Sequence, residues 1–299
     1  MVGRVASISP PFLRLVDDAA VFPPGDVPLP RAVSEHWAHR ASDHAELVGS
    51  FVIGDARLPE LVEVLRAAPA AAQALPTTVV VSGGAGAIQP AVTWAGRAPE
   101  LSTAGLEVAL RDEEDLGHNA RRVVAAVDQL LVDGLLDEDT PVYVEPPRCY
   151  GDPGHGWFAA LDEVAVVDHR LKFRTGGVTA DAFPSALELA TCIGAALDRE
   201  LAFKCTAGLH HALRHRDEET GIEHHGFLNV LLATRASLDG AGTEDVAAVL
   251  EKRDPAAVLA SVEEAGETGL VSARRWFRGF GSCSVRQPLD DLATLGLLR

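Results

Sequence analysis

The chain has 299 residues, 47% of them hydrophobic, and a formal net charge of −17. Such a chain can bury a large core, which excludes disorder, and its acidic balance argues against a nucleic-acid partner, which would need a basic footprint. No apolar run is long enough to span a bilayer, Met1–Ser7 lacks the apolar core of a signal peptide, and Cys149, Cys192, Cys205 and Cys283 are well separated, which reads as buried, reduced thiols in a cytoplasmic protein with no metal knuckle or redox pair.

Residues 1–45 are irregular and proline-rich, and are read as a lead-in that caps one end of the fold. Within them, Asp17-Asp18 precede an apolar tetrad and Pro23-Pro24, a pattern for a stiff extended loop. Strands are then expected at Ser50–Gly54, Thr77–Ser82, Gly105–Leu110, Pro141–Glu145, Leu171–Arg174 and Ala202–Gly208. Gly226–Leu232 is a seventh strand or the start of a helix, which periodicity cannot decide, and the stretch from Phe280 to Ser284 is the eighth.

Helical periods separate these strands. They are read over Leu58–Ala68, from about Asn119 to a stop at Gly134, over Trp157–Val167, and from Pro184 with Leu187, Ala190, Ile193 and Leu197 inward. Further helices are read from Asp254-Pro255 to Gly266 and over Pro288–Leu298. The acidic run Asp112–Asp115 reads as a solvated helix start. Eight strand–helix units in one 299-residue domain point to an α/β fold, a single (β/α)8 TIM-type barrel with an irregular proline-rich N-terminal segment.

In such a barrel the large apolar residues of each strand face the helices and their alternates face the axis. That rule sends Glu107, Tyr143, Glu145, Lys172, Arg174, Lys204, Thr206 and, if its segment is a strand, Asn229 into the interior, and Cys205 outward into the core. Interior charge costs several kcal/mol per ion unless paired, so two carboxylates and three cations there form either a silent ion-pair network or a site. Their place near the carboxyl ends of the strands favours a site.

A lysine beside other cations in a dry pocket loses proton affinity and can attack a carbonyl to form a Schiff base. Lys172, with Arg174 on its own strand and Lys204 on the next, fits that expectation. Alternatively the three cations hold a carboxylate or phosphate of the substrate. The segments Lys172-Phe-Arg-Thr-Gly176 and Lys204-Cys-Thr-Ala-Gly208 resemble the Lys-x-x-Thr-Gly and Lys-x-Ser-Gly-Gly segments of the deoxyribose-phosphate aldolase group of class I aldolases. The resemblance implies that Lys172 is the Schiff-base lysine and Lys204 its neighbour. Arg174 and Ala207 depart from that pattern, and the strand count sets the pair on strands five and six, one earlier than in the family. The wider pattern, from Asp18 and Phe22-Pro23-Pro24 to Lys204 and His210-His211, also resembles an uncharacterised bacterial barrel family.

Glu145, then Glu107, are the carboxylates suited to proton transfer. His210 and His211 follow the lysine strand at the active end and suit acid–base work or substrate binding, while His215, between two arginines, reads as a solvated loop residue. No zinc-site spacing is present, although the histidines with Glu107 or Glu145 leave a divalent metal open. Ser282, in Gly281–Ser284, can belong to a last-strand phosphate loop.

The expected protein is a barrel enzyme for a small anionic carbonyl metabolite, an aldolase-like lyase or isomerase. The alternatives are a metal-dependent lyase, isomerase or hydrolase, and a non-catalytic metabolite-binding barrel. No nucleic-acid or membrane partner is expected, and a homo-oligomer is left open.

Overall fold

The computed structural model describes residues 8–68, 73–111, 114–150 and 152–298. The reading of Met1–Ser7, and that of Asp112 and Glu113 within the acidic run, lie outside the described residues. In chain order the strands and helices are β1 (Val16–Asp18), α1 (Leu29–Arg40), β2 (Val48–Gly54), α2 (Leu58–Ala67), β3 (Leu75–Val81), α3 (Ala85–Gly96), β4 (Leu101–Ala109), α4 (Leu116–Val132), β5 (Val142–Glu145), α5 (His155–Ala165), β6 (Arg170–Arg174), α6 (Ala186–Leu197), β7 (Phe203–Thr206), β8 (His215–Arg216), β9 (Glu223–His224), α7 (Phe227–Leu238), α8 (Thr243–Leu250), α9 (Pro255–Ala273), β10 (Phe277–Ser282) and α10 (Arg286–Thr294).

Eight parallel strands close a barrel in the order β1-β10-β7-β6-β5-β4-β3-β2, with helices outside it: a (β/α)8 TIM-type barrel. Closure rests on β1, which pairs Val16 with Phe280 and Asp18 with Ser282 on one side, and Val16 with Val48 on the other. This corrects two readings. The lead-in contributes the first barrel strand, so Ser50–Gly54 belongs to the second. Gly226–Leu232 opens helix α7, and β8 and β9 form a separate antiparallel hairpin. One strand missed and one wrongly counted left the total at eight. Lys172 and Lys204 therefore stand on the sixth and seventh barrel strands.

Local chemistry explains the helix ends. The Asp115 side chain accepts from the His118 N–H at the start of α4, and Asp254 does the same for Ala257 at α9. Gly134, with φ +64°, follows α4 and lets the Leu135 N–H return to the Leu130 carbonyl. Gly266, with φ +63°, breaks α9 into two helical pieces rather than ending it. Pro184 lies before Ser185, the N-cap of α6, so the helix starts later than expected. Its buried face carries Leu189, Ala190 and Ile193, whereas Leu187 is exposed.

The outward faces of the strands make the core: Leu106, Val108, Val142, Val144, Leu171, Phe173, Phe203 and Cys205 are all buried. The thiols divide, with Cys192 and Cys205 buried and Cys149 and Cys283 half-buried. Folding brings the Cys149 and Cys192 sulfurs to 3.9 Å, a proximity that sequence spacing hid. Among the described residues no helix is long and apolar enough to cross a membrane.

Candidate active site

Strand alternation places one charged residue after another along the barrel axis. Register sets Lys172 beside Lys204 and Arg174 beside Thr206, while Glu145, Arg174, Thr206 and Ser282 each end their strands. The Lys172 Nζ lies 2.8 Å from Glu107 Oε2 and 2.7 Å from Glu145 Oε2. Glu107 Oε1 is 2.7 Å from Lys204 Nζ, and Lys204 also donates to Asp17. At the other end, Arg174 Nε donates to Glu145 Oε1 at 2.9 Å. The result is an alternating chain: Asp17, Lys204, Glu107, Lys172, Glu145, Arg174.

Burial grades along this chain. The side chains of Lys172, Glu107 and Lys204 are 3%, 3% and 2% exposed, whereas Arg174 at the carboxyl-end mouth is 44% exposed. Each interior ion therefore has opposite charges on both sides, which offsets the desolvation that would otherwise expel it.

The same pairing sets the proton affinities. Burial opposes ionisation of Glu107, but Lys172 and Lys204 outweigh it and hold the carboxyl down at about 2. Burial likewise opposes charge on Glu145, and Lys172 and Arg174 bring it below the usual carboxylate range. For Lys172, burial is outweighed by Glu107 and Glu145, so its proton affinity rises. Lys204 is raised too, by Asp17 and Glu107 acting against burial. The expected loss of proton affinity at Lys172 is thus reversed at rest, because carboxylates stand between the cations.

The sequence pattern places Asp17 in a loop, yet it lies on β1 and forms the inner end of the ion chain. Its Oδ1 accepts from the Ser50 N–H at 2.8 Å and the Ser50 hydroxyl at 3.0 Å. Its neighbour Asp18 points the other way, to His36 Nδ1 on α1 at 3.0 Å. The only sequence signal for this was the short run Leu15-Val16 before the two acids.

The remaining candidates lie around the mouth or outside it. Thr206 is half-buried, across from Gly281. His210 Nδ1 stands 3.3 Å from the Ser282 hydroxyl, which itself donates to the Ser284 carbonyl. His211 turns away to Asp291, at 3.1 Å. Asn229 is not in the barrel: on α7 it accepts from the Arg214 N–H and donates to the Val249 and Lys252 carbonyls, a structural amide. His215 is half-buried, its ring 4.7 Å from that of His211 and 5.1 Å from that of His224. Among the described residues, no group of three or more His, Cys, Asp or Glu side chains is placed to hold a metal ion. The imagined set of Glu107 or Glu145 with His210 or His211 is not assembled, since each has other partners.

The two lysine-bearing segments also lock onto each other. Thr175 is buried and donates to the Ala207 carbonyl at 2.5 Å. A Cβ on Gly176 would stand 2.8 Å from the Gly208 Cα, so the turns after β6 and β7 touch only because both are glycine.

Fold and site together define a barrel with a charged, fully paired axis. No protein-family model matches the sequence, and no curated protein does. Among solved structures, the chain is similar to a citrate lyase from Burkholderia xenovorans LB400, with a TM-score of 0.42 and 13% identity over 89% of this chain and 91% of that chain.

Proposed function

We propose that this protein is a barrel enzyme acting on a small anionic carbonyl compound, with Lys172 as the amine that forms a Schiff base and the reaction a carbon–carbon cleavage or an isomerisation. The observation that carries this reading is the contact between Lys172 Nζ and Glu145 Oε2, 2.7 Å apart at the mouth, with the other Glu145 oxygen held by the partly exposed Arg174. The position of the two lysines on the sixth and seventh barrel strands removes one departure from the aldolase pattern.

The resting ammonium of Lys172 must lose its proton before it can attack. An incoming carboxylate or phosphate competes for Arg174. Once Arg174 turns to the substrate, Glu145 loses a cation that held its proton affinity down and becomes a better acceptor for the Lys172 proton. The neutral amine then adds to the carbonyl carbon, and one of the protons on its nitrogen passes to the carbonyl oxygen, which becomes a hydroxyl. The same proton, returned from Glu145, leaves with the hydroxyl as water. The resulting iminium draws electrons from the neighbouring carbon, so a bond there breaks, either to carbon or to hydrogen, and Glu145, ionised again, takes the proton released, from the hydroxyl of the departing carbon or from the carbon itself. Glu107 and Lys204 hold Lys172 in place from below.

The test is reduction with borohydride in the presence of pyruvate or dihydroxyacetone phosphate, followed by peptide mass analysis. The expected result is a reduced adduct on Lys172; an unlabelled Lys172 across such probes contradicts the reading. The matched charges and raised lysine proton affinities favour a second reading, a metabolite-binding barrel without turnover. It predicts that such anions raise the melting temperature while leaving no adduct.

A further inference from the structure

A cavity of about 550 Å³ opens at the end of the barrel opposite the mouth. Its lining fixes the place: Arg14 precedes β1, Pro141 precedes β5, Arg170 begins β6 and Arg278 is the second residue of β10. The volume falls in the range of small-molecule sites, roughly 300–1,000 Å³.

Four arginines line it. Arg274 serves the fold, donating to the backbone carbonyls of Pro11, Leu13 and Phe277. Arg170 rests against Tyr143, 3.2 Å from its hydroxyl. Arg14 and Arg278 reach solvent, and neither side chain makes a hydrogen bond or ion pair among the described residues. Burial, with repulsion from Arg170 and Arg14, lowers the proton affinity of Arg278. Of the acids at the wall, Asp17 is already taken by Lys204, and Asp137 and Asp139 lie exposed at the rim. In a chain of net charge −17, crowding together four guanidinium groups, two of which, on Arg14 and Arg278, have no partner among the described residues, calls for an anion.

We propose that this cavity is a second binding site, for a small anion carrying two or more phosphate or carboxylate groups, gripped by Arg14, Arg170 and Arg278. A planar guanidinium meets either group through two parallel hydrogen bonds. The ligand would lie against Asp17, the inner terminus of the ion chain, while the mouth lies at the other terminus, Arg174. The proposal does not depend on the chemistry at Lys172.

The test uses calorimetry on the full-length protein with inorganic pyrophosphate and with citrate, against sodium chloride at equal ionic strength. One saturable site that depends on Arg278 is expected, apart from any binding at Arg174, selective for pyrophosphate if phosphate groups are recognised and for citrate if carboxylates are. Arg278→Ala should weaken binding at least tenfold and Arg278→Lys less. In Arg174→Gln, which removes the anion contact at the mouth, the Arg278-dependent site should persist with the same affinity. Three results would each overturn the proposal: no binding beyond that of chloride, unchanged binding in Arg278→Ala, or loss of binding in Arg174→Gln, which would place the anion at the mouth instead.

Discussion

Glu107 is the residue on which the interior charge balance turns. One oxygen faces Lys172 and the other Lys204, and its side chain is 3% exposed. Replacing it with Gln leaves two buried ammonium groups with one carboxylate each in place of two. Breaking a buried pair in this way costs about 3–5 kcal/mol, so Glu107→Gln should lower unfolding stability by that amount in urea titration. A loss near zero would mean that the lysines find other partners. At this scale the sequence was legible for a definite reason. Each strand's own apolar residues, such as Leu106 and Val108 or Leu171 and Phe173, marked the outward face and left Glu107 and Lys172 inward. Which acid met which amine was not legible, because pairing across the axis depends on strand stagger, which no single strand records.

At the scale of elements, the turns after β6 and β7 explain why glycine stands at Gly176 and Gly208. Gly208 has φ +75°, and a Cβ there would stand 2.8 Å from the Thr175 carbonyl oxygen. Gly208→Ala should therefore cost about 1–3 kcal/mol and loosen the register that sets Lys172 beside Lys204. Thermal unfolding measures the first effect and a crystal structure of the variant the second. Two elements escaped the sequence reading. β1 is only three residues long, and two of them are acids, so it shows no apolar alternation. The opening of α7, Phe227 to Thr234, is buried on every side, so it shows no helical stripe. The arginine-lined cavity was hidden for another reason: Arg14, Arg170 and Arg278 come from three distant segments that meet only when the barrel closes.

For the whole molecule, the ion chain and the buried histidines together define a pH window. Burial lowers His210 and His225 from 6.5 to about 4. The unfolded chain thus takes up their protons first, and stability falls as pH drops below 6.5. Glu107 and Glu145 are lowered from 4.5, Glu107 to about 2, so a further loss follows as pH falls below 4.5. Lys172 and Lys204 are raised above 10.5; their contribution is complete below that pH and fades as pH rises through their folded values. The Cys149 contact and burial raise Cys192, and burial raises Cys205 and Cys283, from 9.0, so the unfolded chain releases those protons first and stability falls as pH rises above 9.0. Melting temperature should therefore form a plateau between roughly 6.5 and 9, with the acid side falling in two stages. A maximum confined near pH 5 would contradict this assignment.

The chain contains three lysines, Lys172, Lys204 and Lys252. The Lys252 ammonium, on a half-buried residue away from the axis, donates to the Ser261 hydroxyl, so only two of the three amines belong to the ion chain. Nitrogen-15 NMR of the side-chain amines, with lysine labelled at Nζ, then reads the barrel axis directly as pH is raised. If the axis is paired as described, Lys172 and Lys204 remain ammonium, slow to exchange, above the ordinary lysine value of about 10.4. If either amine becomes neutral below that value, or exchanges freely with water, the alternating ion chain is not the resting state of this protein.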